Sequence, residues 1–161
     1  PNVLRLLGVV HAPHAPLHTV TVLCRRGSLV RCLRDARDLQ EPDLLQMMCD
    51  VAAGLEYLHG KGIAHGNLQG ENVLVQGDFN CVIGGFMHSG LAATSERDDS
   101  CQYALQDRML AWYAPEVLGG GDPFRRKADM YSFAMVCVEI LRRGGAPWPR
   151  ASRQAMRANV L

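Results

Sequence analysis

The stretch from 41 to 83 constrains the fold more than any other, because its periodicity changes twice. Over 41–59, Leu44, Met47, Met48, Val51, Leu55 and Leu58 recur at helical spacing behind Pro42, a residue suited to the first turn of a helix. Gly60 and Gly62 stop that helix. Next comes IAHGNLQGEN, small and polar, where a catalytic loop can lie. Two short β-like pieces follow at 72–75 and 81–83, joined by the turn-like QGDFN. A long helix, a polar loop and two short strands thus follow one another directly.

Elements on either side extend that reading. Strands are predicted over 3–10 and over 19–24, the latter rich in Val and Thr. Between them HAPHAPLH is a Pro-broken connection. Its His11, His14 and His18 lack the second ligand cluster that a metal site needs, so a hairpin-type loop is expected there. A short helix is predicted over 28–33, and a polar loop rich in Ser and Asp over 87–109. From 127 to 143 the apolar residues Met130, Phe133, Val136, Cys137, Ile140 and Leu141 run almost all round a helix. Such a helix belongs in the middle of a domain. No internal repeat or low-complexity linker breaks the chain.

Composition narrows the function classes. The 161 residues suffice for one domain with a core, and a net charge of +1 provides no global field for nucleic acid or a membrane surface. Late basic residues, among them Arg125, Arg126, Lys127, Arg142 and Arg143, read as a solvated face, with a docking patch as the alternative. The six cysteines contain no CxxC pair and sit mostly in apolar runs, which predicts reduced, buried thiols and a reducing, cytoplasmic setting. No signal peptide opens the chain, no apolar run approaches a membrane span, and no membrane contact is expected from this segment. PNVLRLLGVV begins directly in a strand-like run and ANVL stops in a helix-like one, so an excerpt from a longer domain is expected.

Five pieces now stand in order: IAHGNLQGENVLV, IGGFMHS, WYAPEVL, KADMYSFAMVCVEIL and GGAPWP, with PNVLRLLGV opening the chain before them. Together they resemble the protein kinase superfamily from its fourth strand to the start of helix G, in tyrosine-kinase-like form. The HGN triplet is similar to that of Janus-kinase pseudokinase domains and of receptor guanylyl cyclase kinase-homology regions. The resemblance implies an α+β, kinase-like fold over 1–161, with 1–24 ending the small lobe and starting the hinge. Residues 25–161 would then form a truncated helical lobe.

It also implies where the chemistry should be. The loop motif H-R-D-L-x-x-x-N falls on 65–72, which places Gly66 at the Arg and Asn67 at the catalytic Asp. An amide is nearly isosteric with a carboxylate but is a very poor base. The D-F-G motif that supplies a magnesium ligand falls on Gly85, Phe86 and Met87, so the ligand is lost as well. Asn72 is the only magnesium-ligand position retained, and alone it makes a poor site. His65, Phe86 and Leu6 match members of the family's hydrophobic spine. Asp129 matches the carboxylate that anchors the loop, and Glu116 one that pairs with a buried Arg. Thr21, Val22, Cys24 and Leu74 match an adenine slot, implying at most weak, magnesium-independent ATP binding. Tyr103 is placed like an activation-loop phosphosite, but Gly66 offers a phosphate no guanidinium.

Three functions are consistent with this pattern. One is a pseudokinase that acts by allostery or as a scaffold on protein partners, either an active kinase or an adjacent domain of the same chain. The second is an unorthodox active kinase, and the third an inert relic. Metal-dependent stabilisation by ATP discriminates the second from the others.

Overall fold

A computed structural model describes residues 2–11, 16–36, 38–91, 107–122 and 125–148, with only the backbone described at 107 and 108. The chain begins as an antiparallel pair, β1 (Leu6–Val10) and β2 (His18–Thr21), in which Leu6 faces Thr21 and Val10 faces His18. Both strands are shorter than the sequence predicts. Residues 2–4 leave β1 and run beside a different strand: the Leu4 N–H donates to the Ile83 carbonyl at 2.8 Å, and the Ile83 N–H to the Asn2 carbonyl at 2.9 Å.

Helix α1 (Leu29–Asp35) starts at Ser28, whose hydroxyl accepts from the Arg31 N–H. Helix α2 (Glu41–Gly60) buries Leu44, Met47, Val51, Leu55 and Leu58 along one stripe. Its first turn is held by Asp43, whose carboxylate accepts the Gln40 N–H at 2.7 Å. Behind α2 come β3 (Ile63–Ala64), β4 (Val73–Val75) and β5 (Cys81–Ile83). The β4–β5 hairpin lies against α2, and buried Asp50 of that helix accepts the Cys81 N–H at 2.8 Å. Cys81 is a free thiol whose pKa burial pushes up to about 12, which makes it unreactive.

The predicted loop over 87–109 contains more order than its polarity suggests. A 3-10 turn at Phe86–His88 leads into β6 (Gly90–Leu91), which pairs antiparallel with β3; a second 3-10 turn spans Asp107–Trp112. Helix α3 (Pro115–Leu118) follows, then α4 (Arg126–Leu141). The main core is built from α1, α2, β4, β5 and α4, with Leu29, Met47, Leu55, Val73, Ile83 and Ile140 fully buried.

Helix α4 differs from its prediction. Met130 and Leu141 are 52% and 66% exposed, while Asp129, Ser132 and Glu139 are buried. Its buried face mixes Val136 and Ile140 with polar groups that serve neighbouring backbone: Asp129 and Glu139 accept loop N–H groups, and the Ser132 hydroxyl donates to the Trp112 carbonyl. Among the described residues, no helix is long and apolar enough to cross a membrane. The architecture is a helical body with three small antiparallel two-stranded sheets, an α+β arrangement.

Candidate functional site

The loop at 65–72 is suspended between β3 and β4, and its geometry is imposed by buried acceptors on α4. Asp129 is 1% exposed. Its Oδ2 accepts the His65 N–H at 2.8 Å, and its Oδ1 the Gly66 N–H at 2.9 Å. His59, at the end of α2, lies 2.8 Å from the same Oδ2 through its Nε2. One carboxylate therefore joins α2, α4 and the loop.

His65 is fully buried. The Asn67 N–H donates to its Nδ1 at 3.3 Å, so Nδ1 is the acceptor and the proton resides on Nε2. That Nε2–H donates to the Gly84 carbonyl at 2.8 Å. Burial pushes the imidazole pKa below its ordinary 6.5, against the Gly84 bond and the Asp129 charge, which act upward. The ring also meets Phe86 edge-on, with centroids 5.3 Å apart, so His65 connects the loop to the segment after β5.

Glu139 is a residue that motif matching missed. It is 3% exposed. Its Oε2 accepts the Gly70 N–H at 2.8 Å and the Trp112 Nε1–H at 2.9 Å. Desolvation pushes its pKa above the ordinary 4.5, with the two hydrogen bonds acting downward. A Cβ at position 70 would lie 2.9 Å from Oε2, so glycine is what lets the loop approach this carboxylate. The only signal in the sequence was a lone acid inside the apolar run MVCVEIL.

Around this frame lie the positions where chemistry is expected. Asn67 is half-buried, and its side-chain amide makes no hydrogen bond among the described residues. Its carbonyl accepts the Asn72 Nδ2–H at 2.7 Å. Gly85 has φ +75°, in the left-handed region. A Cβ built on it would lie 2.5 Å from Asn72 Cγ, 2.6 Å from Oδ1 and 2.9 Å from Cβ. The Gly84 N–H donates to the Asn72 carbonyl at 2.8 Å, which holds the two segments together.

The magnesium ion that the kinase resemblance implies does not fit these residues. A hard cation needs several oxygen ligands in near-octahedral order. Here the Asn72 amide is turned against the Gly85 backbone, and neither Asn67 nor Gly85 provides a carboxylate. No group of three or more His, Cys, Asp or Glu among the described residues is placed to hold a metal.

The slot residues are organised by a seam between the turn after β2 and β4. The Val22 N–H donates to the Arg5 carbonyl at 3.2 Å, and the Gly27 N–H to the Cys24 carbonyl at 3.1 Å. The Arg26 N–H then donates to the Val75 carbonyl and the Val75 N–H to the Gly27 carbonyl, while Ser28 bridges Leu74. Among the described residues, no backbone bond involves the Val22 carbonyl or the Cys24 N–H. Cys24 is buried, Leu74 and Val22 half-buried, and Thr21 exposed. A groove of about 420 Å³ between α2 and α4, lined by Leu55, His59, Met130 and Phe133, lies apart from these residues and touches the site only through His59.

Two expected members do not join the constellation. Leu6 is 55% exposed and lies outside both core clusters, because no described element covers that face of β1. Leu4 instead reaches Gly84. Glu116 is exposed on α3, with no side-chain partner among the described residues. Tyr103 and His14 lie outside the described residues.

Comparison with known proteins places the whole chain in a family. Residues 1–160 match the family described as protein tyrosine and serine/threonine kinase. Dual specificity testis-specific protein kinase 1 of Rattus norvegicus is 37% identical over 153 residues, covering 89% of this chain and 23% of that protein. Megakaryocyte-associated tyrosine-protein kinase of Mus musculus is 36% identical over 154 residues, covering 94% of the chain and 28% of its own length. Protein-tyrosine kinase 6 of Homo sapiens is 33% identical over 155 residues, with 94% and 33% covered. The chain thus spans a third or less of the length of these curated relatives.

Proposed function

Because the chain belongs to the family of protein tyrosine and serine/threonine kinases, we propose that it is a pseudokinase module, acting by allostery or as a scaffold rather than by phosphoryl transfer. The observation that carries this reading is the pair Asn67 and Gly85, the one in a loop whose His65–Asp129 anchor is complete and the other in the segment after β5 that faces it. In the family's chemistry a carboxylate accepts and orients the substrate hydroxyl, and a second one holds the metal. The Asn67 amide can hold a hydroxyl but not take its proton, and Gly85 has no side chain.

Losing both carboxylates has a second effect. It removes negative charge that would repel bare phosphates, so an adenine nucleotide without magnesium is the ligand this cleft tolerates best. Its base would lie between Leu74 and the backbone at Val22–Cys24, with weak affinity because no metal supports the phosphates. The partners are proteins, an active kinase or an adjacent domain of the same chain, in a cytoplasmic setting. A second reading, an unorthodox ATP-dependent kinase, is favoured by the relatives, each of which is named as a kinase.

Thermal shift in ATP separates the two. Ligand at ten times its Kd adds about 1.4 kcal/mol, a rise in Tm of roughly 3–5 °C. The pseudokinase reading expects the same rise in EDTA as in magnesium. A rise that appears only with magnesium favours the second reading. No rise in either leaves a module that binds no nucleotide.

A further inference from the structure

The missing carboxylate at position 85 is one loss, and the position of Asn72 is a separate one. Asn72 is held at two points, by its side chain and by its backbone. Its Nδ2–H donates to the Asn67 carbonyl at 2.7 Å, and its own backbone carbonyl accepts the Gly84 N–H at 2.8 Å. Between those bonds the side chain lies flat against the Gly85 backbone, where any Cβ would come within 3 Å of three of its atoms. One of those atoms, Cβ at 2.9 Å, does not move with χ1, so a rotamer change alone does not clear the space. The loop and the segment after β5 have closed to a separation that only glycine permits.

We infer that Asn72 is a latch that shuts the family's cation position, so that restoring a carboxylate at residue 85 would not restore metal binding. This rests on the reading of a metal-free cleft, and it adds that the cleft is closed by packing as well as lacking a ligand. Asn72, the one retained magnesium-ligand residue, is thereby a positioning residue for the closed loop. Its amide holds the backbone of the residue at the lost catalytic base, Asn67, and its side chain lies where a Cβ at residue 85 would be.

The test is a double-mutant cycle with a metal titration, on the 161-residue chain. Gly85→Ala adds a Cβ with no charge and should lower the Tm by several degrees. Asn72→Gly removes the side chain, including the Cβ that lies 2.9 Å away. In that background Gly85→Ala should cost much less, because the two sites are in contact and their effects do not add. If Gly85→Ala does not fold at all while Asn72→Gly/Gly85→Ala does, the latch is supported as strongly. An unshifted Tm in Gly85→Ala, or equal costs in both backgrounds, overturns it.

The titration uses Mn2+, alone and with ATP, followed by water-proton relaxation. Gly85→Asp should show no gain in Mn2+ affinity over the unaltered chain. A gain of about tenfold or more, equivalent to about 1.4 kcal/mol, shows that the position was open and lacked only its ligand, and overturns the latch. Phosphate transfer by the unaltered chain would sink the pseudokinase reading, yet leave the stability cycle to judge the latch by itself.

Discussion

Three donors converge on the Asp129 carboxylate: two loop N–H groups and the His59 ring. Asp129→Ala leaves all three inside the protein without an acceptor, at about 1–3 kcal/mol for each one that stays dry. Urea denaturation of that variant should show a loss of at least 3 kcal/mol or so, and a smaller loss would mean that water reaches the loop. His65 makes stability depend on pH. Its folded pKa lies below the ordinary 6.5, so its contribution is present above 6.5 and is lost as pH falls toward the folded value. Glu139 acts in the opposite sense: its raised pKa means that its contribution is present below 4.5 and is lost as pH rises through the folded value. The urea midpoint should therefore fall below pH 6.5 with a His65 component of up to about 1.4 kcal/mol per unit. His65→Gln should flatten that slope, and an unchanged slope would show that the ring is not buried neutral. At this scale the sequence displayed Asn67, Asn72, Gly85 and Asp129, because a motif frame assigns positions one by one. It hid Glu139, which a run of apolar neighbours disguises as helix interior, and it hid the contact of Asn72 with Gly85, which exists only once two distant segments have closed.

The elements most legible in advance were those with the longest period. Helix α2, predicted over 41–59, spans Glu41–Gly60, and α4, predicted over 127–143, spans Arg126–Leu141. The pair β3 and β6 went unseen because two-residue strands carry no alternation to read. Yet that pair delivers the chain into His65 and receives it after Phe86. The β4–β5 turn contains another feature that the sequence concealed. Phe79 has φ +66°, a strained conformation for an aromatic residue, and Arg26 lies over its ring at 3.6 Å while donating from Nε to the Gly77 carbonyl at 3.1 Å. This contact ties the turn after the slot residues to the hairpin that carries Leu74. Arg26→Ala should cost about 1–2 kcal/mol in urea denaturation, where a cost below a few tenths would mean that the pair is solvent-screened and idle.

Across the whole molecule, burial is uneven. The helical lobe encloses its core, whereas β1 and β2 leave Leu6, Leu7, Val9, Val10 and Val20 all more than 40% exposed. A two-stranded sheet with both faces open is marginal alone. Native-state hydrogen exchange should find β1–β2 amides opening far below the free energy that protects α2 and α4, and equal protection in both would mean that something covers the hairpin. Kinase membership was legible at this scale because five motifs in order leave few alternatives, and residues 1–160 match that family. Which partners the protein meets was not, since partners are chosen by surface shape and not by loop motifs. The central claim is that a kinase scaffold persists here without its transfer chemistry. Its most direct measurement is transfer of labelled γ-phosphate from ATP with magnesium, to the chain itself and to a tyrosine- and serine-bearing acceptor, for the unaltered chain and for Asn72→Ala. The account predicts incorporation far below one phosphate per chain and equal in both proteins. Stoichiometric incorporation that Asn72→Ala abolishes would contradict it.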